Sequence, residues 1–114
     1  MDFSSEELGS IIIKKVNLSR ATVAEAEVFK NILIDDIKKG WINFIVNLSE
    51  CEFIDSTFIS VLVRVLKMLQ EKGGTLKIVT FNREVQSLLE LTRTTKIIEV
   101  FKSKSEAISS FKFD

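Results

Sequence analysis

The most chemically suggestive stretch of the chain is Asp55-Ser56-Thr57, where two hydroxyls stand directly behind a carboxylate and an irregular loop gives way to an apolar segment with helical spacing. A helix start carries unpaired backbone amides and the positive end of the helix dipole, which favour an anion by about 0.3 to 1 kcal/mol each, or about 2 when partly buried. Ser56 is the position singled out, and a phosphate on it would be tolerated. A phosphate there adds about 1.5 to 2 negative charges beside Asp55, so a partner surface fitted to the unmodified loop is repelled. The same residue types also cap helices, and capping is a strong competing reading. At Thr22 it is stronger still, because Thr22-Val-Ala-Glu25 is a capping box. Catalysis by a nucleophilic serine has no support, since the chain contains no histidine and no Gly-x-Ser-x-Gly elbow. Cys51 is the sole cysteine, which leaves no partner for a disulfide and no thiolate set for a metal. It reads as a small, partly buried filler, with no basic run beside it to lower its pKa. No catalytic residue, metal or cofactor is expected, and the chain reads as a non-enzyme.

The elements that must position these residues follow from periodicity. Ile11–Val16 is a β-branched run, and Gly9 before it folds Phe3–Leu8 back as an antiparallel partner. Val23, Ala26, Phe29, Leu33 and Ile37 recur at helical spacing, and Gly40 stops a helix running from about Val23 to Lys39. Trp41–Leu48 alternates with an apolar residue on both faces, as a central strand does. After the loop Ser49–Ile54, a long helix turns Phe58, Leu62, Val65, Leu66 and Leu69 inward and Ser60, Arg64, Lys67 and Glu71 outward, and ends at Gly73-Gly74. A strand over Leu76–Phe81, a helix capped by Asn82, a strand over Ile97–Phe101 and a terminal helix opened by Ser103-Lys-Ser-Glu106 complete the order. The terminal helix is expected to bury Ala107, Ile108 and Phe111.

This order predicts a mixed α/β fold, with a mostly parallel sheet of four to five strands and about four helices. Right-handed crossovers bring the strand-to-helix loops to one sheet edge. Leu18–Thr22, Ser49–Ser56 and Phe81–Arg83 are therefore expected to meet, with Thr22, Asp55, Ser56, Thr57, Phe58 and Arg83 as a partner-binding set.

A chain of 114 residues suits a single domain, residues 1–114. Sixteen basic against sixteen acidic residues leave no electrostatic footprint for nucleic acid or anionic lipid, and leave room for weak self-association as a homodimer. The acidic start Met1–Ser10 is unlike a secretory signal, and no apolar run reaches the roughly 18 residues of a membrane span. A cytoplasmic protein without membrane insertion is expected.

The segment Asn47-Leu-Ser-Glu-Cys-Glu-Phe-Ile-Asp-Ser-Thr57, with the apolar helix, Gly73-Gly74 and the strand after it, resembles the STAS domain of bacterial anti-sigma factor antagonists. In that family the pattern runs roughly Asp-Leu-Ser, a short loop, then Asp-Ser-Ser/Thr-Gly, and the likeness extends from about Ile11 to Phe111. The resemblance implies a STAS-like fold and a transcription regulator acting through an anti-sigma factor that is also a serine kinase. It implies Ser56 as phosphoacceptor, flanked by Asp55 and Thr57. The chain departs from the pattern at Phe58, where the family has glycine, at Thr22, where it has an acid, and at Asn47, where it has aspartate. The departures at Phe58 and Thr22 motivate a second reading: a STAS-like scaffold or transporter accessory subunit that has lost the phosphoswitch, with Phe58 as an aromatic anchor at the surface. A small-molecule site at the edge where the loops meet is a third.

Overall fold

The computed structural model describes residues 1–111. Strand β1 (Phe3–Leu8) turns at Gly9, whose φ of 61° lies in the left-handed region that glycine adopts freely, into β2 (Ile11–Val16). A two-residue strand β3 (Arg20–Ala21) precedes helix α1 (Val23–Lys38). Then come β4 (Asn43–Asn47), the short β5 (Phe53–Ile54) and helix α2 (Ser56–Gln70). Strand β6 (Thr75–Val79), helix α3 (Arg83–Leu91), a 3-10 turn at Thr94–Lys96, β7 (Val100–Phe101) and α4 (Lys104–Ser110) complete the described residues.

Five strands form the main sheet in the order β1-β2-β4-β6-β7, with β1 antiparallel and the rest parallel. Among the described residues this is the expected mixed sheet, with four helices. β4 is central, and its alternating side chains feed two cores. Phe44 and Val46 join Ile12, Val16, Leu76 and Ile78 beneath α1, α2 and α3, whereas Ile45 joins Ile11, Ile13, Val79 and Ala107 beneath α4. Period two puts successive residues on opposite faces, so a strand covered on both sides must be apolar throughout.

Helix α1 is short of its expected end by one residue, and Lys39 serves as its cap. The β4, β6 and β7 strands are each shorter than their apolar runs. The run at Ile97–Phe101 is cut most, because the 3-10 turn before it holds Ile97 and Ile98 by bonds to the Thr94 carbonyl. Gly74, just before β6, passes against the backbone that leads into β4: a Cβ there would lie 2.0 Å from the Ile42 carbonyl oxygen, so only glycine fits.

Among the described residues two lysines are buried, one on each face of the sheet. Lys14, 4% exposed, places Nζ 2.8 Å from Asp36 Oδ2 on α1 and also bonds the Ser5 hydroxyl. Lys77, 5% exposed, donates to Ser110 Oγ at 2.7 Å and lies 4.1 Å from the Phe111 ring centre, with Glu99 3.3 Å away. A buried cation survives only when paired in this way.

Candidate functional site

The site is assembled by a second, two-stranded sheet. Parallel pairing of β3 with β5 sets Arg20 opposite Phe53 and Ala21 opposite Ile54, and the Glu52 and Phe53 amides both donate to the Ser19 carbonyl. Two of the three expected loops are thereby joined, directly ahead of α1 and α2. The third reaches the same edge: Arg83, exposed at the start of α3, borders a groove with Phe53 and Ile54. At the root of the middle loop, the Asn47 side chain accepts from the Ser49 amide at 3.0 Å, a local turn that replaces strand pairing as β4 ends.

At the head of α2, Asp55 has extended backbone, φ −117°, and acts as the N-cap. Its Oδ1 accepts from the Phe58 amide at 2.9 Å. Its Oδ2 accepts from the Val23 amide at 2.9 Å, across 32 residues of sequence. One carboxylate thus satisfies an orphan donor on each of two helices.

That division of labour leaves Ser56 unencumbered. Ser56 and Thr57 are exposed, and among the described residues neither hydroxyl nor either amide has a hydrogen-bond partner. The Ser56 carbonyl accepts from the Ser60 hydroxyl at 2.9 Å. The arrangement can take an anion covalently on Ser56 Oγ, with free amides and the helix dipole beside it.

Thr22 is different. Its amide donates to Glu25 Oε1 at 2.8 Å and its hydroxyl to the same oxygen at 3.2 Å, while its Oγ1 accepts from the Ala24 amide at 3.4 Å. The capping box is complete, and the hydroxyl is committed to its own helix.

Phe58 corrects an expectation. It is 0% exposed, stacked on Phe29 at 5.3 Å, so it is not an aromatic anchor at the surface. The reason is position: three residues past the cap, it heads the inward stripe that continues through Leu62, Val65, Leu66 and Leu69. The aromatic rings exposed near this edge are instead Phe53, 39% exposed under the Arg20 guanidinium at 4.3 Å, and Phe81, 67% exposed after β6. Sequence reasoning set Phe81 at a strand end and in the third loop, and Phe53 in the second, and gave neither a role; for Phe53 no signal was available, because a two-residue strand has no readable period.

Cys51 is 1% exposed, more buried than expected, and burial, with the nearby Glu50 charge adding to it, pushes its thiol up to about 12. It is neutral and shielded at physiological pH. Among the described residues, no group of three or more His, Cys, Asp or Glu is placed to hold a metal ion, and no helix is long and apolar enough to cross a membrane.

Comparison with known proteins agrees with this architecture. A Thermotoga maritima protein whose name assigns it provisionally to the anti-sigma factor antagonists is 32% identical over 87 residues, spanning 75% of this chain and 77% of its own. The crystal structure of a Thermotoga maritima protein of the same provisional name superposes with a TM-score of 0.88 at 27% identity, covering 96% of this chain and 94% of that one. The Bacillus cell fate determinant SpoIIAA in its phosphorylated form shares the fold at 14% identity and a TM-score of 0.73, covering 96% of this chain and 98% of that one. The family profile described as the STAS domain matches residues 11–107. With that match across nearly the whole sheet and its helices, the chain belongs to the STAS domain family.

Proposed function

We propose that the protein is an anti-sigma factor antagonist: a non-enzymatic cytoplasmic regulator that binds an anti-sigma factor with serine kinase activity and is released when that partner phosphorylates Ser56. The observation that carries this reading is the exposed, unpartnered hydroxyl of Ser56 at the head of α2. The names of the relatives support the role, and the phosphorylated form of SpoIIAA, a protein of the same fold, supports the switch.

In the transfer, Ser56 Oγ forms a bond to the γ-phosphorus of ATP, the bond to ADP breaks, and the hydroxyl proton passes to a base on the kinase. This chain supplies position. Asp55 fixes the first turn of α2 through the Phe58 amide and ties it to the start of α1 through the Val23 amide, Thr57 follows the acceptor in the chain, and Arg83 borders the groove beside Phe53 and Ile54. The product dianion lies next to the Asp55 carboxylate, where the partner would have to desolvate both.

The scaffold reading loses one of its two motives, because Phe58 lies in the core. Thr22 remains a departure, but a capping box explains it without a lost switch.

Incubating the full chain with ATP and the anti-sigma factor of the same organism, then measuring intact mass, tests the proposal. A single phosphoryl gain in wild type and in Thr22→Ala, absent from Ser56→Ala, is expected. A gain that persists in Ser56→Ala overturns it. Calorimetry on Ser56→Asp is expected to show weakened binding to the same partner.

A further inference from the structure

From Ser56 to Lys67 the outward face of α2 carries charge of one sign, and Glu71, one turn further along the same stripe, lies past the helix end as its C-cap. Over Ser56–Gln70 the helix carries Arg64 and Lys67 and no carboxylate, in a chain whose basic and acidic residues are equal in number. Both side chains are exposed, and among the described residues neither enters an ion pair. Lys30 on neighbouring α1, by contrast, is held by Glu27 at 3.3 Å.

Two depressions flank this face. One, of about 380 Å³, lies toward the end of α3 and is lined by Ser56, Ser60, Arg64, Lys67, Thr92 and Thr94 among others. The second, of about 270 Å³, lies toward α1 and includes Thr57, Ser60 and Arg64. Ser60 and Arg64 belong to both, so α2 is a ridge with a channel on each side. Glu27, already engaged by Lys30, is the one carboxylate-bearing residue on either wall.

We propose that this ridge docks an acidic helical segment of the protein partner, its carboxylates meeting Arg64 and Lys67 and its smaller side chains settling in the channel beside Val63 and Thr92. Charge complementarity selects the occupant. A second copy of this chain, neutral overall, gains little, and two cations neutralise too few phosphates for useful nucleic-acid affinity. Arginine offers a carboxylate a two-point contact, and the spacing Ser60, Arg64, Lys67 repeats at one helical turn, which a second helix can match.

The inference rests on the proposed function and deepens it. Ser56 begins the same face, eight residues or about 12 Å along the axis from Arg64 at 1.5 Å per residue. A dianion there opposes an acidic segment laid along the ridge, so the phosphate would act on the docked partner directly.

The test is an NMR titration of the unphosphorylated full chain with a synthetic helical peptide bearing glutamates one turn apart. Its glutamine counterpart and phosphatidylserine vesicles serve as comparisons. Expected shifts are confined to residues 56–67 and 92–94 and require the glutamate peptide. Arg64→Glu combined with Lys67→Glu should weaken binding about tenfold, whereas Lys38→Glu combined with Lys102→Glu, exposed elsewhere, should change it by less than about twofold. Shifts scattered over other lysines, undiminished binding by the Arg64/Lys67 variant, or stronger engagement of the same face by vesicles overturns the proposal. A silent titration with a phosphorylatable Ser56 removes the docking face alone, and clear docking with an inert Ser56 removes the switch alone.

Discussion

At the head of α1, Thr22 takes the cap and Glu25, three residues on, reaches back to the Thr22 amide and hydroxyl. At the head of α2, Asp55 takes the cap, but the residue three places on is Phe58, whose ring goes down onto Phe29. At the first start the cap residue's own amide and hydroxyl are both committed locally, and Asp55 takes only the Val23 amide. The second gives its N3 position to the core and lets one carboxylate cap both helices, which leaves the hydroxyl behind it idle. A hydroxyl at a helix start is therefore informative only when its neighbours show whether it is needed there.

Breaking the comparison at its deepest point should have the largest effect. Phe58→Ala is expected to cost about 3 to 5 kcal/mol by urea unfolding, where a surface aromatic would cost under about 0.5. Asp55→Ala, which orphans an amide on each helix, should cost about 2 to 3 kcal/mol in the same measurement; a loss near zero would show that neither contact persists in solution.

Cys51 sharpens the contrast between the sealed root of this loop and its open tip. Its folded pKa of about 12 exceeds the unfolded value of 9.0, so above pH 9 the unfolded chain loses the thiol proton first. Stability on this account is fully present below pH 9 and falls by about 1.4 kcal/mol per pH unit as pH rises toward 12. Alkaline unfolding should be less steep in Cys51→Ala.

The smallest effects separate the two hydroxyls. Thr22→Ala should cost about 1 kcal/mol through its cap. Ser56→Ala should change stability by less than about 0.5 kcal/mol. Equal losses at both positions would mean that Ser56 also caps, and would remove the distinction.

The α1 start was legible because both halves of its box lie within four residues, and periodicity alone placed the two long helices and the central strand. The Asp55 contact to Val23 was not legible, since nothing local at residue 23 calls for a carboxylate 32 residues away. The β3–β5 pairing was missed because two-residue strands carry no alternation. Lys14 and Lys77 sit in mostly apolar strands, and their burial depends on Asp36, Ser110 and Phe111, which sequence cannot set beside them. Phe58 was read correctly as part of the inward stripe and also offered as a surface anchor; the helix allows only the first.

The unequal covering of the sheet has a practical use. Because α1, α2 and α3 occupy one side and α4 the other, a fluorophore or affinity handle attached to an exposed α4 residue such as Ser105 sits on the reverse of the layer that presents Ser56. Immobilised by that route, the molecule shows its modifiable face to solution, and both kinase turnover and peptide capture can be read on one sensor surface without steric shadow.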